Sequence, residues 1–542
     1  MDGRERAAAV WAATAVVWLL GTVAVAPLVG GHPLAVAGQV VIELAPGAVA
    51  TLAIETLGAA AQPALMVGVA LTAVGAAAGI AAAAHTYGTN RRQQRLLVRG
   101  VGLVAVVCSA LGFRAAADGV LWRWTLATAL ALAGPALLVV FGGGRRPTVG
   151  RRRTLRTVGV AFGAVAGGGL VARSLRTTDS GEGPDPGESL AAVAQKRERG
   201  TATPDSNRTP TAVATDATNT AAADRARIED RRETEGVVVS VANSDEPFGF
   251  DFAGMPAAVG TAAGHYVVDK NVSDPDVDAG RWSLSVEGSV ETSLEFSLEE
   301  LVAHPEARDL TVTTACISNR VGGDLISTVE WRGVPVRALL EEAGVPDAAV
   351  EVVTRAADGY SEGIPWDVVR ERDDVVIAVG MDGETLPRKH GFPARLLIPG
   401  RYGMKSTKWI EDISVSAADH EGYWEARGWD EEAVVNALSS VRAVQRRGDR
   451  VAVGGVAYAG RRGVSGAEVS LDGGDSWSEA SLEEPPSPHA WRRFRSVVEA
   501  PDSGPKDVVV RATDGTGTRQ TRERTGPHPG GATGWHTVTV SL

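Results

Sequence analysis

The chain of 542 residues carries 54 Lys+Arg against 65 Asp+Glu, so it is acidic overall and too long for one hydrophobic core. The charge is divided unevenly, because residues 1–176 hold 16 basic and 5 acidic residues while the remainder holds 38 and 60. The acidic surface of the remainder argues against nucleic acid as a partner, since binding phosphates needs a basic face. Such an acidic, lysine-poor composition is typical of halophilic proteins, and also of acidic domains from GC-rich genomes.

The first 176 residues contain apolar runs long enough to cross a bilayer, which takes about 20 helical residues each. Five spans are predicted, near 8–29, 64–84, 97–117, 120–142 and 155–175. A sixth apolar stretch, 36–58, contains Glu43, Pro46 and Glu55. We interpret it as an interfacial segment rather than a span, which makes residues 1–176 a multi-span α-helical membrane region.

Arginine clusters decide the predicted topology of this region. With five spans, the clusters at 4–6, 91–95 and 145–153 all fall on the cytoplasmic side, as the positive-inside tendency requires. Everything after residue 176 is then extracytoplasmic, and the protein is expected in the cell membrane, in contact with lipid. His32 and His85 lie at opposite ends of the spans, so an anchoring role is favoured over a haem-binding one.

Residues 177–236 are rich in Thr, Ser, Asp, Pro and Ala and poor in large apolar side chains. This composition predicts a disordered, solvated linker between the membrane region and the rest of the chain.

Residues 237–420 alternate β-rich and helical segments, which predicts a mixed α+β domain. Segments 282–286 and 310–313 have the pattern of strands, and 336–343 has a helical period before Gly344. A further helix is expected after Ser297, since a glutamate at Glu300 completes a capping box.

Residues 421–542 have an all-β character. Strand candidates at 451–459, 467–471, 508–512 and 535–540 are separated by Gly/Asp turns, with a tight hairpin signal at 472–477. We predict a β-sandwich of immunoglobulin type, although the Cys–Trp–Cys core of antibody domains is missing from the sequence.

Cys316 is the only cysteine after residue 176, and it ends a strand-like run. A single cysteine has no intramolecular disulfide partner there. It is therefore either a buried packing residue or a reactive or metal-bound thiolate.

A series of motifs follows Cys316 in a fixed order. They are CISNR (316–320), VEWRGVP (329–335), YSEGIP (360–365), LPRKHGFPAR (386–395), PGRYGMKSTKW (399–409) and SLDGGDSW (470–477). In order and spacing this series resembles the sulfite oxidase family of molybdenum enzymes, over roughly residues 240–542. The membrane region lies outside the resemblance.

The resemblance implies a molybdenum–molybdopterin cofactor, with Cys316 completing the ligand set of the metal. A soft thiolate suits a metal already held by the dithiolene sulfurs of the pterin. Tyr360 and Arg320 are implied beside the metal, on the substrate side. The other implied cofactor contacts are Tyr266, Asn319, Thr354, His390, Arg395, Ser406, Thr407 and Lys408.

Several of these residues have a plainer interpretation from the residue type alone. His390 can be a structural turn residue, Lys408 a solvated charge and Asn319 a turn cap. Trp331, inside the second motif, is most simply a core residue.

The chain departs from sulfite oxidases of animals and plants at three arginines that surround the substrate oxyanion. Val321, Val268 and His528 stand at the matching places. Each missing cation removes a charge-assisted contact of about 1.5–3 kcal/mol. Bacterial relatives that reduce methionine sulfoxide also lack this arginine cluster, so the substrate is expected to be either a small oxyanion or a sulfoxide.

We therefore expect a membrane-anchored oxidoreductase that moves an oxygen atom to or from a small substrate. No haem-binding domain or cysteine ladder is evident in the sequence, so electrons must pass to a separate carrier or a quinone. The resemblance also implies a homodimer formed through the last domain. The alternative is a metal-free surface receptor or adhesion protein that retains the fold.

Overall fold

The computed structural model describes residues 183–201 and 228–541, with short gaps at 235, 243–246, 272, 347 and 503, and four single positions before residue 69. The five predicted spans lie outside these ranges. Among the residues that are described, no helix is both long and apolar enough to cross a bilayer. The elements named below belong to one compact unit, residues 182–269 and 274–542.

The described part of the chain is mostly β-structure with four short α-helices. The helices are α1 (Leu190–Thr201), α2 (Leu298–Val302), α3 (Val336–Ala343) and α4 (Trp366–Arg370). The strands are β1 (Ile228–Thr234), β2 (Val237–Ala242), β3 (Leu284–Gly288), β4 (Leu294–Phe296), β5 (Arg308–Ala315), β6 (Ile326–Pro335), β7 (Glu351–Ala356), β8 (Ser361–Pro365), β9 (Val376–Met381), β10 (Glu384–Thr385), β11 (Arg395–Leu397), β12 (Ile410–Ser416), β13 (Leu438–Arg447), β14 (Arg450–Tyr458), β15 (Val464–Ser470), β16 (Ser478–Glu479), β17 (Ser481–Leu482), β18 (Arg492–Glu499), β19 (Pro505–Asp514) and β20 (His536–Ser541).

The first domain contains two five-stranded sheets around one core. One sheet has the order β10-β9-β6-β5 with β11 beside β9, and the other has the order β4-β3-β12-β7-β8. Trp331, Ile377 and Ile413 are fully buried between them, so the α+β prediction for this domain is confirmed. The predicted capping box is present at α2, where Ser297 Oγ accepts from Glu300 N.

The second domain is a two-sheet sandwich, as its alternating strands predicted. A six-stranded sheet (β1-β2-β13-β14-β18-β17) and a four-stranded sheet (β16-β15-β19-β20) share a core that contains Val441, Val453, Val508 and Val538. The immunoglobulin type of this sandwich stays a prediction.

The predicted domain boundary at residue 237 is wrong in one respect. Strand β2 lies in the sheet of the second domain, paired in parallel with β13 from Ala443↔Val238 to Arg446↔Val241. The reason is burial: Val237 and Val239 complete the apolar core of the sandwich, which a local pattern cannot assign to either domain.

The predicted linker at 177–236 is also wrong near its two ends. Helix α1 packs against the core of the first domain, with Val193 fully buried and Leu190 N donating to Gly383 O at 3.1 Å. Strand β1 pairs with β2 in antiparallel register. Two apolar side chains at helical spacing were enough to dock α1, although the surrounding composition is polar.

The β5–β6 hairpin positions the candidate metal ligand. Ala315 pairs with Ile326 at its closed end, so residues 316–325 form a loop that begins with Cys316. Gly322, in this loop, has φ of 78°, and a Cβ there would lie 2.3 Å from the His536 ring of the second domain. The loop is therefore shaped by both domains, and only glycine fits at this position.

Replacing Val193 with alanine tests whether α1 is part of the folded body. We expect a loss of about 2 kcal/mol in the free energy of unfolding, because a fully buried branched side chain leaves a cavity. Denaturant unfolding of the purified chain measures it. The matched control is Lys196→Ala, which removes only an exposed pair with Glu188 and should change stability by less than about 1 kcal/mol. Equal effects of the two variants would contradict the docking of α1.

Candidate active site

Cys316 lies at the end of β5, buried, with its Sγ atom 2.9 Å from Ser318 Oγ. Burial raises the pKa of this thiol, and the hydrogen bond from Ser318 opposes the rise only in part. Without a metal the sulfur therefore keeps its proton at neutral pH. A metal that binds here must displace that proton, which couples ligation to pH.

The loop after Cys316 is closed by Asn319. Its Oδ1 accepts from Leu325 N at 3.1 Å, and its own N–H donates to Cys316 O at 3.0 Å. Asn319 thus acts as the turn cap that its residue type suggested, and a cofactor contact from it stays a prediction. Arg320, next in the chain, is exposed.

Arg395 begins β11 as a buried cation. Its guanidinium donates to two backbone oxygens, His390 O at 3.1 Å and Ser406 O at 3.3 Å, while its Nε has no partner. Within the described part of the chain no carboxylate lies at salt-bridge distance from it. Burial lowers its pKa to about 10, so the group is still cationic at neutral pH. A buried positive charge without a counter-charge is costly unless an anion binds to it.

Two neutral histidines stand next to this cation. His390 donates through Nε2 to Ala262 O at 3.0 Å, and its ring meets the His265 ring edge-on at 5.3 Å. Burial, followed by the charge of Arg395, lowers the pKa of His390 to about 4 and that of His265 to about 2. Both rings are therefore uncharged at neutral pH. They place polar atoms next to Arg395 without repelling its charge.

The segment from Gly403 to Lys408, which we call the cradle segment, connects β11 to β12. Ser406 Oγ accepts from Ile398 N at 3.4 Å, and Thr407 Oγ1 lies 2.8 Å from Thr354 Oγ1 on β7. These hydroxyls fasten the segment to the sheets on either side. Their predicted contacts to a phosphate would come from the same short stretch of chain.

Lys408 closes this group of residues. Its ammonium pairs with Asp269 Oδ2 at 2.8 Å and lies 4.4 Å from the centre of the Trp409 ring. Burial lowers its pKa, and the charge of Asp269 opposes this. Lys408 is thus a partly buried, paired cation and not the solvated charge of the plainer interpretation.

Tyr266 is brought close to both Cys316 and the cradle segment. A Cβ atom on Gly403 would lie 2.9 Å from its phenol oxygen, so glycine is required for this approach. Burial raises the pKa of Tyr266, and the nearby Cys316 adds to the rise. The phenol is therefore a permanent hydrogen-bond donor beside the thiol.

Tyr360 sits on the other side of the cradle segment. Its hydroxyl oxygen lies 2.6 Å from Met404 O and 3.1 Å from Glu362 Oε2. Burial raises the pKa of this phenol well above its usual value. Tyr360 therefore contacts the backbone that precedes the cradle's polar residues, and its place beside a metal stays a prediction.

The predicted cofactor contacts thus form one neighbourhood rather than a scattered set. An anionic cofactor fits it, because Arg395 has no carboxylate partner within the described ranges, both histidines are neutral, and glycines keep the interior open. At Gly391, for example, a Cβ would lie 3.1 Å from the side chains of Arg395 and Lys408.

Sequence reasoning missed two groups of residues. His265 precedes the predicted Tyr266 and was not singled out, although buried neutral histidines are a frequent feature of cofactor sites. The second group is a buried ion cluster of Lys405, Glu362 and Glu425. Lys405 and Glu362 each lie inside one of the quoted motifs, but nothing in the sequence joins them to each other or to Glu425, because the three residues come from separate segments.

Two family descriptions match this part of the chain. Residues 271–424 match the oxidoreductase molybdopterin binding domain, and residues 427–542 match the Mo-co oxidoreductase dimerisation domain. The boundary between the matches agrees with the change from mixed to all-β structure after β12.

Curated relatives include nitrate reductases and a sulfite oxidase of plants. A nitrate reductase (NADH) of Solanum lycopersicum is 28% identical over 308 residues, 45% of this chain and 34% of its own length. A sulfite oxidase of Arabidopsis thaliana is 27% identical over 296 residues, 43% of this chain and 75% of its own length. The chain thus spans about a third of the nitrate reductases that it matches. These similarities indicate the molybdenum cofactor.

Among solved structures, the sulfane dehydrogenase SoxCD from Paracoccus pantotrophus is similar to this chain. It is 25% identical, with a TM-score of 0.45, over 50% of this chain and 78% of its own.

Arg395→Gln tests whether this cation is reserved for the cofactor. We expect cofactor retention to fall about 10- to 100-fold, since a charge-assisted contact of 1.5–3 kcal/mol is lost. We expect the cofactor-free protein to be as stable as the wild type or more so, because an uncompensated buried charge is removed.

The measurements are molybdenum per chain and denaturant unfolding of protein made without molybdenum. The charge-conserving control is Arg395→Lys, which should retain more metal than Arg395→Gln. Unfolding of Arg395→Gln made without molybdenum would show that Arg395 has a structural role instead. Full metal content in Arg395→Gln made with molybdenum would show that the cofactor does not depend on this cation.

Proposed function

We propose that this chain, whose residues 271–542 form the molybdopterin-binding and dimerisation domains of a sulfite-oxidase-family oxidoreductase, catalyses two-electron oxygen-atom transfer to or from a small substrate. The observation that carries the proposal is that one site contains both a buried lone thiol, Cys316, and a buried guanidinium, Arg395. The guanidinium has no carboxylate partner among the described residues. Cys316 is a thiol that can bind a metal, and Arg395 is a buried cation that an anion would balance.

Different residues would bind different parts of the cofactor. Arg395 and Lys408 provide the positive charge for a phosphate, and Ser406 holds the cradle segment in place through its backbone and side chain. Cys316 gives up its proton to become the protein's metal ligand. When bound, the molybdenum cofactor supplies the two-electron chemistry, and the chain orients it and shields it from water.

A sulfoxide is the substrate class that the side chains favour over sulfite. Val321 lines a narrow cavity between the Cys316 loop and Ser440 and Gln520 of the second domain. His528 lies with its ring edge-on to Trp429, at 5.1 Å, and Val268 is exposed. At these three positions a dianion would meet neutral or apolar groups, with Arg320 as the cation that lines the cavity, whereas a neutral S=O group requires only hydrogen-bond donors.

The setting of the enzyme is part of the proposal. The five spans predicted in residues 1–176 would anchor it in the cell membrane with the catalytic domain outside the cytoplasm. Electrons would be exchanged with a separate carrier or with a quinone at the membrane surface. The match to a dimerisation domain supports a homodimer formed through residues 427–542.

Cys316→Ser tests the metal assignment. We expect near one molybdenum per chain in the wild type, and loss of the metal or a changed electronic spectrum in the variant, because a hydroxyl is a poor substitute for a soft thiolate. Turnover should fall at least about 100-fold. The matched control is Cys108→Ser, the other cysteine of the chain, which should leave all three properties unchanged. A well-folded wild type without metal from a competent host would favour the receptor alternative.

Val321→Arg tests the substrate class. Restoring one cation should raise kcat/KM for sulfite relative to a sulfoxide by about 10- to 100-fold, the equivalent of 1.5–3 kcal/mol. Steady-state rates with both substrates give the ratio. Val350→Arg, at an exposed position just before β7, is the control for the added charge itself. An unchanged ratio, or a wild type that already prefers sulfite, would remove the argument for a sulfoxide.

A further inference from the structure

A buried ion cluster lies next to the cradle segment. The Lys405 ammonium contacts Glu362 Oε1 at 2.7 Å, Gly363 O at 3.0 Å and Glu425 Oε1. The side chains of Lys405 and Glu362 are 2% and 0% exposed, so solvent does not share these contacts. One cation therefore faces two carboxyl groups, of which Glu362 is fully buried and Glu425 is partly buried.

The hydrogen bonds of Tyr360 bear on the protonation state of Glu362. A phenol carries a single hydrogen, and Tyr360 has two oxygen neighbours, Met404 O at 2.6 Å and Glu362 Oε2 at 3.1 Å. A carbonyl oxygen only accepts, and two oxygens at 2.6 Å without a hydrogen between them repel. With the phenol hydrogen directed to Met404 O at the shorter distance, a protonated Glu362 supplies the hydrogen of the second contact.

The opposite carboxyl group is suited to carry the negative charge. Glu425 accepts from Lys405 and, through Oε2, from Gly422 N at 2.7 Å, and its side chain is 8% exposed. Glu362 accepts from Lys405 and from Gly363 N at 3.2 Å, but its side chain is 0% exposed. Two buried carboxylates around one ammonium do not both ionise, and the less deeply buried one keeps the charge. The directions of the two pKa shifts agree: burial raises that of Glu362 to about 8, whereas hydrogen bonds from its partners outweigh burial and lower that of Glu425.

We propose that Glu362 is held as a neutral carboxylic acid that positions the Tyr360 phenol at the active site, and that ionising it disturbs this alignment. The inference rests on the proposed function, since the alignment matters only for a reaction beside Tyr360. Glu362 acts through Tyr360 and is a positioning residue. As an acid it donates to the phenol oxygen, which strengthens the bond from the phenol to Met404 O.

Several titratable or charged groups lie around Glu362. They are Tyr360 and Asp358 on its own hairpin, Glu351 on β7, Arg401, Lys405 in the cradle segment, and His420 and Glu425 in the segment that leads to the second domain.

A pH dependence follows from the neutral acid. When Glu362 ionises, its oxygen becomes an acceptor only, and the phenol hydrogen is drawn away from Met404 O. Turnover should therefore fall on the alkaline side, as pH rises through about 8. Folding is linked in the same way: the folded pKa lies above the usual 4.5, so this stability is complete below 4.5 and is lost as pH rises through about 8.

The test uses glutamine substitutions at both carboxyl groups of the full-length holoenzyme. Glu362→Gln replaces the acid by an amide that donates at every pH. We expect it to keep turnover within about threefold of the wild type at neutral pH and to lose the alkaline limb. Glu362→Ala should lose about tenfold in turnover, the equivalent of one hydrogen bond.

Glu425→Gln is the matched variant, with the same change made to the other carboxyl group. It removes the group that carries the charge, so we expect weaker folding and a lower pKa at Glu362, which must then ionise to balance Lys405. If Glu425→Gln keeps activity, the alkaline decrease in its pH profile of turnover should move to lower pH. Identical stability losses for the two glutamine variants would contradict the assignment of the proton to Glu362.

A readout independent of turnover separates this inference from the proposed function. Infrared difference spectroscopy between neutral and alkaline pH should show a carboxylic-acid C=O band in the wild type that disappears in Glu362→Gln. If the band is present and no oxygen transfer is found, the assignment of the proton stands and the proposed function fails. If the band is absent, or Glu362→Gln keeps the alkaline limb, the inference is overturned even in an active enzyme.

Discussion

The buried ammonium of Lys405 is the constraint on which the candidate site depends. It joins β8 through Glu362 and Gly363 to the cradle segment, and both to the segment that carries Glu425. Breaking one side of a buried ion pair leaves an uncompensated charge, at a cost of about 3–5 kcal/mol. Because Ser406 and Thr407 follow directly in the chain, their positions are fixed by the same interaction.

The buried cations Lys405 and Arg395 have opposite electrostatic surroundings. Lys405 faces two carboxyl groups, while Arg395 meets only backbone oxygens and stands beside two histidines that burial keeps neutral. The first arrangement stabilises the fold by itself. The charge of Arg395 is balanced only when an anion binds. This is typical of a binding site rather than of a structural ion pair.

The second domain also shapes the site. Arg442 donates to Gly323 O in the loop that follows Cys316, and Tyr458 donates to Thr313 O on β5 at 3.0 Å. A ring from the same domain, that of His536, packs where Gly322 has no side chain. The geometry around the thiol is thus a product of two domains, although only the first carries the cofactor-binding motifs.

The sequence by itself determined the two domain types, the capping box at Ser297, the lone thiol and the ordered motifs that hold Cys316, Arg395 and Lys408. These are local patterns, and side-chain periodicity, caps and motif spacing are written in neighbouring residues. It failed where the deciding contact is remote: α1 was assigned to a linker, β2 to the wrong domain, and His265 and Glu425 to no role. Only the tertiary structure decided that Lys405 lies between two carboxyl groups, while Arg395 has none at salt-bridge distance among the residues that the structure describes. Burial and counter-charge come from segments far apart in the chain, and they alone set which group is ionised and which awaits an anion.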